Sequence, residues 1–206
     1  MLGIECLLLI PFTLRYSSLD KAAKSIYNYL VSSIIFAVGS ISIEYLIHNN
    51  MWFFAIMYFV QFLILSAFYY TVIKNNKVRN VIKFLPVPVL LIFILDLLKI
   101  EGIDKYNSLF TTIRSFILIV YAIIFFLQLL NDNELIEQAI FINKLPDFWF
   151  NSGLFLNLCG SFMFSLSYNY LESQRLITDI TFVITLIAGI LQLILFYIGL
   201  LNTKRR

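Results

Sequence analysis

"KLPDFWFNSGLFLNLCGSFMFSL", residues 144–166, is long enough to cross a bilayer, yet it carries two asparagines, two glycines and three serines. A strand isolated in hydrocarbon would leave its backbone groups without hydrogen bonds, so the segment predicts a helix. At 100° per residue, the small and polar residues Gly153, Asn157, Gly160 and Ser161 fall on one face, and Leu158 falls on the opposite, lipid-facing side. In membranes such a polar face normally contacts other helices, because small residues allow close approach and amides bond across the contact. The segment therefore predicts one helix of a transmembrane bundle.

The composition of the whole chain supports a membrane protein. Of its 206 residues, 61% are hydrophobic and only 13% are charged, and the mean hydropathy is +0.88. Soluble domains carry roughly 25% charged residues. With about 20 residues per span, the chain has room for six or seven helices with short connections. We expect residues 1–206 to form one transmembrane bundle domain.

Six apolar runs are long enough to cross the membrane: residues 25–47, 51–73, 84–100, 108–130, 148–171 and 178–201. The N-terminal run 1–14 is shorter and contains Glu5 and Pro11, and it lacks the pattern of a signal peptide. It predicts a short first span, or alternatively an interfacial or re-entrant segment. The fold class is thus an all-α polytopic bundle of seven helices, or six if the first segment does not cross.

Lysines and arginines in the short connections predict the orientation of the bundle. Eleven of them lie after the first, third, fifth and seventh segments, and three lie on the other side. Since cytoplasmic loops are enriched in these residues, we expect the C-terminus to be cytoplasmic, in the inner (cytoplasmic) membrane of a bacterium.

Charged residues within the apolar segments are the candidates for a binding site, because each is costly in lipid unless it is paired. Arg114 lies inside the run 108–130, which is the fifth span when the N-terminal segment is counted. Glu44 and Asp96 are predicted at similar depth near the outer ends of their helices. We predict an outward-facing polar cluster composed of Glu44, His48, Gln61, Asp96 and Arg114. Asn157 is a further candidate binding residue on the bundle interior. Alternatively, Arg114 reaches the surface, the acids are solvated, and the polar residues serve only to pack helices.

Two cytoplasmic connections are candidates for partner binding. Residues 74–83 include Lys77 and Arg79, and residues 131–147 include Glu134 and Glu137 in what reads as a capped surface helix with one apolar edge. Either the second connection docks a partner or it lies on the bundle.

Catalytic, metal and cofactor sites are not predicted. The chain has a single histidine, so it has no HExxH pair and no convincing nucleophile–histidine couple, and it contains no phosphate-binding glycine motif. Its two cysteines lack CxxC spacing, and no basic face with interleaved aromatics indicates nucleic-acid binding. We therefore expect a non-enzymatic protein without metal or cofactor.

The segments "PDFWFNSGLFLNLCGSFMFSLSYNYL" and "ILFYIGLL" in the last third of the chain resemble a group of small, uncharacterised seven-helix bacterial membrane proteins. Members of that group are often encoded beside two-component sensor histidine kinases. The resemblance implies a membrane signalling role with a histidine kinase as partner, and it implies no ligand or catalytic residues.

The expected function is a sensory or signalling module that passes a ligand or membrane signal to a cytoplasmic partner. A small-solute transporter or channel is the first alternative, although Pro11, Pro86 and Pro88 have no counterparts in the later helices, as inverted repeats would require. An accessory subunit of a larger membrane complex is the second.

Overall fold

A computed structural model describes residues 2–103, 105–132, 141–173 and 179–203. These residues form helices joined by short connections and contain no strand, which confirms the all-α fold class. The helices are α1 (Leu2–Leu14), α2 (Lys21–Ile47), α3 (Met51–Val72), α4 (Asn76–Phe84), α5 (Pro86–Leu95), α6 (Ser108–Leu130), α7 (Pro146–Ser173) and α8 (Asp179–Asn202). Short 3-10 turns occur at Tyr16–Ser18 and Ile142–Lys144, and a π-helical turn at Asp96–Ile100 continues α5.

Six of the helices form a closed ring. Neighbours in the ring are α1, α2, α3, α6, α7 and α8 in that order, and α8 returns to contact α1. The broken unit α4–α5 lies outside this ring, against α3 and α6. Because consecutive spans alternate in direction, Arg15, Lys74 and Lys144 share one end of the bundle, here called the basic end. The other end, with the α2–α3 and α5–α6 connections, is called the opposite end.

Five helical units are long and apolar enough to cross a membrane: Lys21–Ile47, Met51–Val72, Asn76–Ile100, Ser108–Leu130 and Val183–Asn202. The Gly3–Leu14 helix is also apolar but shorter. The 13 residues of α1 extend about 20 Å at 1.5 Å per residue, against a hydrocarbon thickness of about 30 Å. The predicted seven-helix bundle is present, with α4 and α5 as two parts of one span and α1 too short to cross alone.

The longest described helix, α7, occupies the most enclosed position because it packs along both α6 and α8. Its Phe150 and Leu154 side chains are fully buried. Leu158 is also buried, so its predicted lipid-facing position is wrong. The exposed line of α7 is instead formed by Leu156, Met163 and Leu166. Contacts with α6, α8 and, to a smaller extent, α2 leave this helix a narrow lipid-facing strip, and for that reason its apolar and polar residues are both buried.

Glycines bring α7 and α8 together. A Cβ atom placed on Gly153 would lie 3.0 Å from the backbone oxygen of Gln192, and one on Gly160 would lie 3.2 Å from the Cβ atom of Ala188. A side chain at Gly153 would therefore require the α8 backbone to move. These contacts explain why a membrane-crossing helix contains glycine, as the sequence pattern predicted.

The fourth span is broken rather than continuous. Pro86 begins α5 at the first helical position, where its missing N–H costs nothing. The preceding helix α4 begins after Asn75, whose side chain accepts a hydrogen bond from the Lys77 amide at 2.9 Å. The predicted span 84–100 therefore extends back to Asn76 at the basic end.

Candidate ligand cavity in the bundle interior

A polar cavity of about 200 Å³ lies inside the six-helix ring. Each helix of the ring contributes polar side chains to its lining, among them Glu5, Tyr29, Gln61, Arg114, Asn157 and Gln192. For comparison, an apolar cavity of about 150 Å³ holds benzene, and a water molecule occupies about 30 Å³ of liquid. The cavity thus has the volume of a small solute or of several water molecules.

Arg114 of α6 is the cation of this cavity, and its side chain is only 4% exposed. One terminal guanidinium nitrogen donates a hydrogen bond to Gln61 Oε1 at 3.3 Å, and the guanidinium lies 4.9 Å from the centre of the Tyr58 ring. Its Nε atom is buried without a hydrogen-bond partner, and no carboxylate of the described residues lies within 4.0 Å as an ion pair. A buried charge with unused donors is costly, so Arg114 has capacity for an acceptor in the cavity.

Glu5 of α1 is the anion of the cavity. The residue is 8% exposed, and Ser33 of α2 lines the cavity with it. The Tyr29 hydroxyl lies within electrostatic range of both Glu5 and Arg114 and accepts a hydrogen bond from Gln192 Nε2 at 3.5 Å. Glu5, Tyr29 and Arg114 therefore surround one interior space.

Aromatic rings cover the cavity at the opposite end. Tyr106, in the connection before α6, is 7% exposed, and its hydroxyl shares a hydrogen bond of 3.0 Å with Ser165. Its ring centre lies 4.5 Å from that of Tyr168 and 6.5 Å from that of Tyr58. Burial raises the pKa of the Tyr106 phenol above its ordinary value, so the hydroxyl stays neutral. A solute entering from this end would have to displace this aromatic cover.

Asn151 forms a second buried polar contact nearer the basic end. Its Nδ2 donates to the Ala122 carbonyl of α6 at 3.2 Å, and its Oδ1 accepts from the Tyr69 hydroxyl of α3 at 3.0 Å. Both Asn151 and Tyr69 are fully buried. The asparagine of the α7 segment is thus satisfied by helices on either side, as a polar group in lipid must be.

The predicted outward polar cluster is only partly present. Gln61 and Arg114 are in contact, and Asn157 lines the same cavity. Glu44 and His48 are exposed and are not among the residues that line the cavity, so the predicted pairing of Arg114 with Glu44 is wrong. His48 ends α2 in the left-handed conformation, with φ 60°. The last turn of α2 therefore extends beyond the helices that surround Arg114.

Asp96 has a structural role in place of the predicted pairing with Arg114. It is fully buried, and its Oδ2 accepts a hydrogen bond of 3.0 Å from the backbone N–H of Phe110 in the first turn of α6. Glu101 accepts from the Leu109 amide in the same turn at 3.3 Å. Carboxylates at a helix N-terminus stabilise the unpaired amides and the positive end of the dipole. Asp96 therefore caps α6 and is absent from the cavity lining.

The predicted partner-binding residues lie at the basic end or outside the described residues. Lys77 is exposed on α4, and the Arg79 guanidinium lies 4.5 Å from the centre of the Tyr70 ring of α3. Glu134 and Glu137 fall in residues 133–140, which lie outside the described ranges.

Many residues of the cavity were missing from the predicted site, among them Glu5, Tyr29 and Tyr106. Glu5 carried a usable signal, because an acid in an apolar segment is a functional candidate by its cost in lipid, but it was interpreted only as an obstacle to crossing. Tyrosines are common near membrane interfaces, so the sequence offered no signal that separated these two from the other ten.

The comparisons with known proteins return no match: no family model, no curated protein and no solved structure matches the chain.

Proposed function

We propose that this protein is an integral membrane sensory module that binds a small polar solute in the central cavity and passes the resulting change to a cytoplasmic partner. The observation that carries the proposal is the Arg114 guanidinium, which is buried in a polar cavity with an unpartnered Nε atom. Arginine stays charged in proteins and binds oxyanions with two parallel hydrogen bonds.

The cost of burying Arg114 supports a binding role over simple helix packing. Packing in a membrane bundle needs small residues and satisfied amides, and Asn151 already provides such a contact between α3, α6 and α7. A charged group with unused donors does not improve packing. It does provide a strong interaction for a solute with an oxygen acceptor, in a low-dielectric site where that interaction is large.

Helix α3 provides a direct mechanical connection between the cavity and the basic end. Gln61 of α3 contacts Arg114, and Tyr70 of the same helix contacts Arg79 of α4. Gln61 and Tyr70 are nine positions apart, which corresponds to about 14 Å along the helix at 1.5 Å per residue. Because a helix moves as a rigid element, a solute that draws Arg114 away from Gln61 would alter the forces on α3 and hence on α4.

The partner surface in this proposal is the exposed face of α4 at the basic end, which the positive-inside rule assigns to the cytoplasm. Lys77 and Lys83 are exposed there, and they would favour a partner with an acidic surface. The resemblance to membrane proteins encoded beside sensor histidine kinases makes such a kinase the expected partner, in a bacterial inner membrane.

A binding assay tests the first half of the proposal. The purified protein in mild detergent is heated with separate panels of small anions, cations, zwitterions and neutral polar solutes, and its unfolding temperature is recorded. A solute at 100 times its Kd would stabilise the fold by about 2.7 kcal/mol. Arg114→Leu should abolish that shift, while Glu44→Gln, which changes an exposed charge, should leave it intact. The absence of a shift with every panel would overturn the proposal.

Co-purification tests the second half. We expect a histidine kinase to co-purify with the tagged protein from native membranes, and Lys77→Glu to weaken the association more than Lys99→Glu, the matched reversal of an exposed charge at the opposite end. Equal effects of the two reversals would contradict the assigned surface. A fixed set of other membrane subunits would favour the accessory-subunit alternative, and uptake of a binding solute into proteoliposomes would favour the transport alternative.

A further inference from the structure

We infer that the ligand of the central cavity is a small zwitterion, whose carboxylate binds Arg114 and whose ammonium group binds Glu5. The inference rests on the proposed function, since it names the chemical class of the solute that the cavity would bind.

The charges of the cavity lining carry the inference. Among the described residues that line the cavity, the charged side chains are Arg114 and Glu5. Both are more than nine-tenths buried. They have opposite sign but do not form an ion pair within 4.0 Å. The cavity therefore presents a separated cation and anion on its wall, which is the complement of a molecule that carries both charges.

The anionic half of the ligand fits the free donors of Arg114. Gln61 occupies one terminal nitrogen. The other terminal nitrogen makes no hydrogen bond to the described residues, and the buried Nε also has no partner. Carboxylates match the planar donor arrangement of a guanidinium. The Tyr58 ring lies against the guanidinium at 4.9 Å and restricts its orientation, which lowers the entropy cost of binding.

The cationic half fits Glu5. Its carboxylate lines the cavity and, with about four acceptor positions, has capacity for an ammonium group. Glu5 lies nine residues before the end of α1, about 14 Å from the basic end, whereas Arg114 lies six residues, about 9 Å, from the start of α6 at the opposite end. Because the hydrocarbon layer is about 30 Å thick, these distances from opposite ends place Glu5 nearer the basic end than Arg114. The ligand would lie along the bundle axis with its ammonium group toward the basic end.

Net charge excludes the simpler ligand classes. A monoanion would pair with Arg114 and leave the Glu5 carboxylate uncompensated in a low-dielectric site, and a monocation would do the reverse to Arg114. An uncompensated buried charge costs several kcal/mol. A zwitterion adds no net charge and pairs both groups. The cavity volume of about 200 Å³ falls below the range of about 300–1,000 Å³ for drug-sized ligands, which limits the ligand to a small molecule.

The test uses amino acids of increasing charge separation with analogues that lack one charge. Glycine, β-alanine and γ-aminobutyrate are compared with acetate, propionate and butyrate, which lack the amine, and with methylamine, ethylamine and propylamine, which lack the carboxylate. Affinities are taken from the shift in unfolding temperature and from calorimetry on the detergent-solubilised full-length protein. We expect at least one zwitterion to bind at least about 30-fold more tightly than both of its matched analogues, the loss expected when one partner of a buried charge pair is removed.

Variants separate the two halves of the ligand. Glu5→Gln should reduce the affinity for the zwitterion to the affinity that the wild-type protein shows for the matched acid. Arg114→Lys should weaken the binding of the zwitterion and of the acid, because lysine retains the charge but loses the planar donors. Glu5→Asp, a carboxylate on a shorter side chain, gives an intermediate affinity and replaces Glu5→Gln should that variant not fold. Equal binding of an acid and its matched zwitterion, or zwitterion binding unaffected by Glu5→Gln, would overturn this inference and leave the proposed function standing. Failure of every solute class would overturn both.

Discussion

The hydrogen bond between Tyr69 and Asn151 is expected to stabilise the bundle measurably. The Tyr69 hydroxyl donates to Asn151 Oδ1 at 3.0 Å, and both side chains are fully buried. Tyr69→Phe removes that hydroxyl with little change of shape, so the Asn151 oxygen loses its donor. Asn151→Ala also removes the bond to the Ala122 carbonyl and leaves a small void.

The expected magnitudes follow from these contacts. Hydrogen bonds between transmembrane helices average about 0.6 kcal/mol in double-mutant cycles, with a maximum of about 1.7 kcal/mol. Because both partners are fully buried, we expect a coupling free energy of about 1 kcal/mol. Tyr69→Phe alone should cost about 1 kcal/mol. Asn151→Ala should cost about 2–3 kcal/mol, since it also leaves the tyrosine hydroxyl without an acceptor.

The assay is reversible unfolding in mixed micelles of increasing SDS fraction, followed by the intrinsic fluorescence of tryptophan, for the wild-type protein, both single variants and the double variant. Tyr45→Phe serves as control because the Tyr45 side chain is 83% exposed, and it should change the unfolding free energy by less than about 0.5 kcal/mol. Additive losses, with a coupling below about 0.3 kcal/mol, would refute the assigned bond between α3 and α7.

Three further predictions concern packing, helix capping and the site. Gly153→Ala should destabilise the fold by about 1–3 kcal/mol in the same assay, because its Cβ would lie 3.0 Å from the α8 backbone. Gly3→Ala, with open space around it, should be neutral or stabilising by up to about 1 kcal/mol. Equal effects of the two substitutions would contradict the close contact between α7 and α8. Asp96→Ala should cost about 1 kcal/mol through the lost α6 cap, with no change in ligand affinity by calorimetry; a loss of affinity at full stability would return Asp96 to the binding site. Glu44→Gln combined with His48→Gln should leave both stability and ligand affinity unchanged, and weaker binding would show that these exposed residues belong to the site after all.

The helix boundaries were largely predictable from local composition. The run 108–130 coincides with α6, and the runs 51–73 and 148–171 differ from α3 and α7 by one or two residues at an end. Lipid requires internally satisfied backbones over a fixed thickness, so the length of an apolar run indicates where a helix begins and ends. The fourth span departs from this rule because Pro86 interrupts it and the amphipathic α4 precedes it.

The site was predictable only in part. Arg114 and Asn157 were identified by their cost in lipid, and both line the cavity. The partners of Arg114 were not predictable, because similar depth in the membrane leaves open which helices are neighbours. Asp96 lies on the span outside the ring, where it caps α6, and Glu44 lies beyond the ring contacts. Glu5, on the shortest helix, is the acid that faces the cavity.

Sequence alone determined that this chain forms a bundle of helices, with a polar stripe on α7 that must face other protein, because hydrocarbon leaves no other partner for backbone and side-chain polar groups. Only the tertiary structure decided which helices close the ring and which charges share its interior, since those depend on contacts between residues far apart in the chain, such as Glu5 and Arg114. Local pattern specifies the face that a helix buries, and the identity of the neighbour follows from packing all the helices together.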